Sequence, residues 1–479
     1  MTEIVDSLPT GYSIYERSLV SVGETKLALA KTDAGEKFVY LIGPCLACKG
    51  EEFASGWRYP LTLETAWALQ DALPWLKPRR IPANRPSFGF GDRLGLATPG
   101  HIRAVRGTTV FPILAQQSVR ENARTGRTFD QVLASAIFGA FQEGYTGGFG
   151  ADADHLKLIE DALEAADLGY TFFTCDPSDH VVGVEDMSGG ELRERFSALS
   201  LADQWEKEYL DHPFAVEELG ELRFSEDTLL RAAVKYGAAV EFASKMYRVL
   251  SERLPCRFDY EISVDETDYP TSPLEHLFVA RELRRHGVEF VSLAPRFVGA
   301  MEKGVDWRGD LDQFKLELHA HAAIARSLGG YRLSLHSGSD KFSLYPLIHQ
   351  ATRGKWHVKT AGTSYLVALE VVAKNDLCFF REILKLSLSV FDAAKKSYHI
   401  SADPARIPAI ETVSDDELAG LVDKHDSRQV LHVGYGSVLD QFGDRLKEFL
   451  ADHEEEHYAR LTKHLGRHLQ GLEVTDEQV

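Results

Sequence analysis

Cysteine is scarce in this 479-residue chain, and five copies exclude a disulfide-stapled scaffold. Cys45 and Cys48 have the spacing of a redox pair or half a zinc site, but no second pair completes a thiolate cage. Both are expected to be reduced thiols in a tight turn, and Cys175, Cys256 and Cys378 stand singly in apolar surroundings. Positive charge is also short: 53 Lys and Arg against 72 Asp and Glu leave a formal charge of −19. Such a surface repels phosphate backbones and anionic lipid, so neither nucleic acid nor membrane is an expected partner. No apolar run approaches the ~18 residues of a membrane span, and the N-terminus is acidic and polar, so a cytoplasmic protein without a targeting signal is expected. A GxxxxGK[ST] loop is missing. The stretch Gly89 to Gly95 sets its third glycine one residue late and puts Asp92 where a pyrophosphate would approach, which argues against nicotinamide and ATP cofactors. No nucleophile elbow is present, so covalent hydrolysis lacks support.

What remains is a composition of 44% hydrophobic and 26% charged residues, ordinary for a globular enzyme, over a length that suits two or three domains or one decorated barrel. Residues 1–80 read as a strand-rich N-terminal cap, followed by a Pro-rich connector at Pro74 to Pro86. Strand-like runs then recur at Ser87–Phe90, Val110–Leu114, Tyr145–Phe149, Tyr170–Thr174, Arg257–Ser263, Glu289–Leu293, Tyr331–Leu335 and Lys355–Lys359. Helical periodicities separate them, among them Phe129–Glu143, Leu156–Leu168, Pro273–His286, Leu311–Leu328 and Ser364–Ala373. Eight such alternations predict an α/β fold, a (β/α)₈ TIM-type barrel over residues 81–375, with a helical insertion at about 185–254. Residues 376–479 read as a helical region packing on the barrel, its end (Asp452 to Val479) a solvated helix.

In such a barrel, chemistry gathers at the carboxyl ends of the strands. Here those ends are polar and ionisable. Gly150-Ala151-Asp152-Ala153-Asp154-His155 is read as joining the third strand to a helix, and one helix cap would need only one of its two carboxylates. Asp92 and Arg93 follow the first strand, Asp265-Glu266-Thr267-Asp268 the fifth and Arg296 the sixth. His336-Ser337-Gly338-Ser339-Asp340-Lys341 follow the seventh, and His357 and Lys359 belong to the eighth. His336 alone reads equally well as a core histidine, and the acidic run around Glu266 as a solvated loop. Together, however, His155, His336 and His357 from three strand ends can bind a divalent cation, for which imidazole suits Zn, Ni, Mn or Fe better than Mg.

The segments Gly91–His101, Gly150–Lys157, Val264–Thr267, Leu335–Phe342 and His357–Thr363 together resemble the tagaturonate epimerase family, and the match extends over nearly the whole chain. The resemblance implies a carbohydrate epimerase, an isomerase of hexuronate metabolism that depends on a divalent metal. It would invert C4 of a 2-ketose acid, interconverting tagaturonate and fructuronate, or act on the uncharged ketohexoses tagatose and fructose. It further implies Asp154 and Glu266 as the acid/base pair and His155, His336 and His357 as metal ligands. Asp92, Arg93, Arg296, Ser337, Asp340, Lys341 and Lys359 are the candidate substrate-binding residues, the cations being available for a C6 carboxylate.

The proton on C4 of a 2-ketose is not acidic, so direct deprotonation is a poor route to inversion. Retro-aldol cleavage between C3 and C4, rotation of the aldehyde and re-addition to its other face need a Lewis acid and acid/base groups, which these residue types supply. An aldose–ketose isomerase or a metal-dependent aldolase would use similar ligands and break a different bond. A non-catalytic sugar-binding protein leaves the crowding of ionisable strand ends unexplained. A sugar or uronate is the expected partner; a homo-oligomer stays open.

Overall fold

The computed structural model describes residues 2–473 apart from 211, 256 and 399, so Cys256 and the final stretch 474–479 lie outside the described residues. Eight parallel strands close a barrel in chain order: β1 (Ser87–Phe90), β2 (Phe111–Ser118), β3 (Gly150–Leu156), β4 (Phe172–Cys175), β5 (Asp259–Val264), β6 (Ser292–Pro295), β7 (Arg332–Leu335) and β8 (Trp356–Thr360). Parallel neighbours need a crossover, and helices such as Phe129–Gln142, Pro273–Arg285 and Leu311–Ser327 provide it. Their starts follow from sequence: Ser272 accepts the Glu275 amide while Glu275 reaches back to the Ser272 amide, and Pro273 presets the first helical φ. The β5 run Tyr260-Glu261-Ile262-Ser263-Val264 alternates, placing Tyr260, Ile262 and Val264 in the apolar layer beneath the helices.

Seven expected strands overlap observed ones; the third is displaced. Tyr145–Phe149 is a glycine-rich loop, with Gly148 at φ +76°, and the strand is the Asp–His stretch itself. The polarity of β3 is inverted relative to a half-buried strand at a solvent face: Ala151 and Ala153 belong to the core cluster, while Asp152 and Asp154 project into the barrel. A strand that turns its charges inward reads, by composition alone, as a loop.

In the N-terminal region, a six-stranded antiparallel sheet buries both faces. Leu27, Leu29, Val39 and Leu41 join the main core, whereas Ala28, Ala30, Phe38 and Tyr40 pack with Ile4 on the other side. Between β4 and β5, helix Glu226–Arg253 packs against Ile159–Leu168 and Pro273–Arg285, the place of a barrel helix. Two shorter helices and a small hairpin precede it. Among the described residues, the terminal helix Glu454–Leu472 is not simply solvated: His457, Tyr458, Leu461, Leu465, His468, Leu469 and Leu472 are buried along one stripe. It lies across helices Thr98–Val105, Tyr345–Thr352 and Thr363–Asn375, so close that a Cβ at Gly100 would stand 2.7 Å from the Leu461 side chain. The other C-terminal helices bury a second apolar cluster that includes Phe379, Ile383, Leu431 and Tyr435.

Candidate active site

A cavity of about 720 Å³ opens at the carboxyl ends of the barrel strands. Its floor owes its shape to an irregularity in β3. Ala153 pairs with Phe173 of β4 and Leu156 pairs with Cys175, so Asp154 and His155 together stand opposite the single residue Thr174. This is a β-bulge, and His155 takes a left-handed conformation (φ +52°) that non-glycine residues seldom adopt. Consecutive strand residues normally face opposite ways; here the bulge lets both Asp154 and His155 line the cavity. Ser337, directly after His336, is likewise left-handed at φ +52°. For non-glycine residues such backbone costs about 1–3 kcal/mol and is retained where surrounding structure requires it.

Each imidazole is held from behind by a carboxylate. His155 Nδ1 lies 2.8 Å from Asp154 Oδ1, and His336 Nε2 lies 2.7 Å from Glu261 Oε1. The remaining ring nitrogens turn toward one oxygen: Asp265 Oδ1 is 3.8 Å from His155 Nε2 and 3.2 Å from His336 Nδ1. One ligand atom from each of His155, Asp265 and His336 falls within 4.8 Å of the others. Donors ~2.1 Å from a shared ion stand about 3–3.5 Å apart, so this set fits a divalent cation bound by two imidazoles and a carboxylate. A carboxylate behind each imidazole is the usual device that selects the tautomer and aims the ring at an ion. Glu266 Oε1 is 4.0 Å from His155 Nε2 and accepts a hydrogen bond from Arg120 Nη2 at 2.9 Å.

The electrostatics point the same way. Burial alone would raise the carboxyl pKa of Asp154, Glu261 and Asp265, but His155, His336 and Lys359 beside them hold all three well below the usual range. Burial would lower His155 and His336, yet the carboxylates lift both above an ordinary imidazole. Asp152, fully buried and beside Asp154 and Glu261, is pushed up to about 7 despite Lys359. With carboxylates crowding around few cations, the centre of the barrel favours an added positive charge.

Of the other candidate residues, Arg93, Arg296, Ser337 and Lys359 line the same cavity. Arg93 lies over the Tyr435 ring at 3.6 Å and donates from Nε and Nη2 to Glu121 Oε1. Arg296 Nη1 donates to the Asp265 carbonyl at 3.2 Å, and Ser337 Oγ accepts from Lys303 Nζ at 2.6 Å. The structure leaves four candidates outside. Asp92 spends its carboxylate on the amides of Leu94, Gly95 and Ala97. Lys341 donates to the carbonyls of Glu302, Val305 and Ser339, and Asp340 pairs with His464 and Arg428. His357 sits near the amino-terminal end of β8, level with Ser87 at the start of β1, whose hydroxyl lies 2.9 Å from its Nδ1. Burial pushes its pKa down to about 3, and Asp265 takes the place beside His155 and His336 that His357 was expected to fill.

Asp265 belongs to the acidic run Asp265–Asp268, and Glu261 is the inward-facing residue of an alternating strand. Gln116 also lines the cavity, and its Nε2 donates to Asp154 Oδ2 at 3.3 Å, while its buried Oε1 packs against Gly89.

Residues 15–472 match the family model for tagaturonate epimerase. Over 479 residues the chain is 46% identical to the tagaturonate/fructuronate epimerase of Thermotoga maritima, with 98% of each chain covered. A glycerol-bound crystal structure of the fructuronate-tagaturonate epimerase from Cohnella laeviribosi superposes with a TM-score of 0.93 at 38% identity, covering 97% of both chains. The native crystal structure of that enzyme gives the same TM-score over 99% of both.

Proposed function

The chain belongs to the tagaturonate epimerase family, and from that premise we propose that it interconverts tagaturonate and fructuronate by inverting C4, with His155, Asp265 and His336 holding a divalent cation. The observation that carries the metal reading is the convergence of two carboxylate-held imidazoles on Asp265 Oδ1. When bound there, a divalent cation supplies Lewis-acid stabilisation of the negative charge that develops on the ketose carbonyl side.

The chain's own groups supply the rest. A base takes the C4 hydroxyl proton, the O–H electron pair becomes the C4 carbonyl, and the C3–C4 bonding pair moves toward the C2 carbonyl. The aldehyde rotates, the C3–C4 bond re-forms on its other face, and the proton returns to the C4 oxygen. Glu266 is the better placed carboxylate for that proton, because it lines the cavity and Arg120 holds it by Oε1, leaving Oε2 for proton exchange. Asp154 commits Oδ1 to His155 and Lys359, leaving Oδ2, beside Gln116, as its side for proton exchange.

The uronate carboxylate needs a cation not already matched. Arg93, Arg120 and Lys359 face carboxylates, whereas Arg296 and Lys303 have no carboxylate within 4.0 Å among the described residues. Both line the cavity, which supports the sugar acid over the neutral ketose.

The test uses tagaturonate deuterated at C4, with and without prior chelation. Fructuronate that keeps its label in ordinary water, formed only after divalent metal is restored, is the expected result. Washout of the label would overturn the carbon–carbon cleavage route, full turnover in verified metal-free protein the cation site. Accumulation of three-carbon fragments in place of fructuronate would mark an aldolase.

A further inference from the structure

Lys359 is 3% exposed, and its ammonium is surrounded by acceptors inside the barrel. Nζ donates to Asp154 Oδ1 at 2.7 Å, lies 2.7 Å from Asp152 Oδ2 and 2.9 Å from Glu261 Oε1, and also contacts Thr174 Oγ1. Four acceptors compete for three protons, which leaves none for a substrate carboxylate. Two of the four matter for a different reason. Asp154 Oδ1 is the atom that holds His155 Nδ1, and Glu261 Oε1 is the atom that holds His336 Nε2. We propose that Lys359 is a positioning residue that sets both imidazole ligands at once, by gripping the one oxygen behind each ring. The inference rests on the cation site described above.

The physical reason is repulsion. Two buried carboxylate oxygens bound to one nitrogen stand close together, and in a poorly screened interior they repel one another strongly unless a cation lies between them. Without the ammonium, the two carboxylates swing apart. A carboxylate that has turned away no longer receives the imidazole N–H, and the ring loses its tautomer and its aim together. Asp152 completes the cluster through Thr174, whose hydroxyl donates to Asp152 Oδ1 at 2.9 Å, and no hydrogen bond joins Asp152 to His155 or His336. It therefore balances charge without holding a ligand.

The experiment measures divalent-ion affinity by competition with a chelator, together with the visible absorption of the Co²⁺-loaded protein. Lys359→Met is expected to weaken the ion by about 10–100-fold and to change the cobalt spectrum. Because that variant buries three carboxylates without a cation, Lys359→Met/Asp152→Asn is made alongside it. It replaces three carboxylates and an ammonium by two carboxylates, preserving the formal charge of the cluster, and is expected to fold with the same loss of affinity. Asp154→Asn and Glu261→Gln should each weaken the ion, and each should add less than its full effect when combined with Lys359→Met, since they act through the same grip. A folded double variant with wild-type affinity and an unchanged cobalt spectrum overturns the proposal, as does full additivity. If the wild-type protein itself takes up no equivalent of Co²⁺ or Zn²⁺, the cation site fails instead, a separate outcome.

Discussion

Two clusters of histidine and carboxylate in this molecule look alike in composition and differ in what their nitrogens are doing. At the barrel mouth, His155 and His336 each spend one ring nitrogen on a carboxylate and aim the other at Asp265. Where β7 meets the terminal helix, Asp340, His464 and His468 also bring ligand atoms within 4.8 Å of one another. There, however, His468 Nε2 accepts the backbone amide of Asp340 at 3.0 Å, and its Nδ1 faces the His464 carbonyl at 3.0 Å. The Asp340 carboxylate is taken by His464 Nε2 at 2.7 Å and by Arg428. With both nitrogens of His468 satisfied by backbone, the second cluster ties the His336-bearing loop to the C-terminal helix. Proximity of ligand atoms does not distinguish an ion site from a structural tie; ring nitrogens that converge on one carboxylate oxygen rather than on backbone do.

Substitution separates the two clusters most sharply. His336→Ala should lose bound metal and, at several kcal/mol of lost charge stabilisation, on the order of 10³-fold in turnover, as metal analysis beside kinetics would record. Equal metal loss from His468→Ala would erase the distinction. Within the first cluster, Glu266→Gln should lower turnover by roughly 10²-fold or more while metal stays bound. Asp154→Asn should lose metal, because Asp154 holds His155; turnover lost with metal fully retained would make it a proton carrier instead. Arg296→Ala or Lys303→Ala should raise KM for tagaturonate by about 10–100-fold, the worth of a charged hydrogen bond, without changing rates on tagatose. Equal losses on both sugars would remove the carboxylate clamp. The smallest effect belongs to the second cluster: His468→Ala should cost about 1–3 kcal/mol of stability in thermal or urea unfolding, with metal content intact.

Some of this was readable residue by residue. Alternating runs such as Tyr260–Val264 and capped helices such as Pro273–Arg285 announce themselves, because burial on one face imposes a period that local sequence must carry. His155 and His336 also stood out, being imidazoles at the ends of strand-like runs. Depth in the barrel did not. His357 and Lys359 are two residues apart on one strand and point the same way, yet one lies beside Ser87 toward the amino-terminal end and the other among Asp152, Asp154 and Glu261. Which inward residue reaches the mouth depends on the tilt and stagger of eight strands, set only when the ring closes.

The sequence by itself thus determined the alternation of strand and helix, the closure of a parallel barrel and the kind of chemistry its strand ends can host, since periodicity and residue type are local properties. Only the tertiary structure decided which of those residues meet. It placed Asp265 where His357 was expected, turned β3 into a bulged strand so that neighbouring Asp154 and His155 share one cavity, and converted Lys359 from a candidate substrate cation into the centre of a buried carboxylate cluster. The reason is that an ion site or an acid/base pair is defined by distances of a few ångströms between residues far apart in sequence, such as His155 and His336, and the chain sets those distances only through packing.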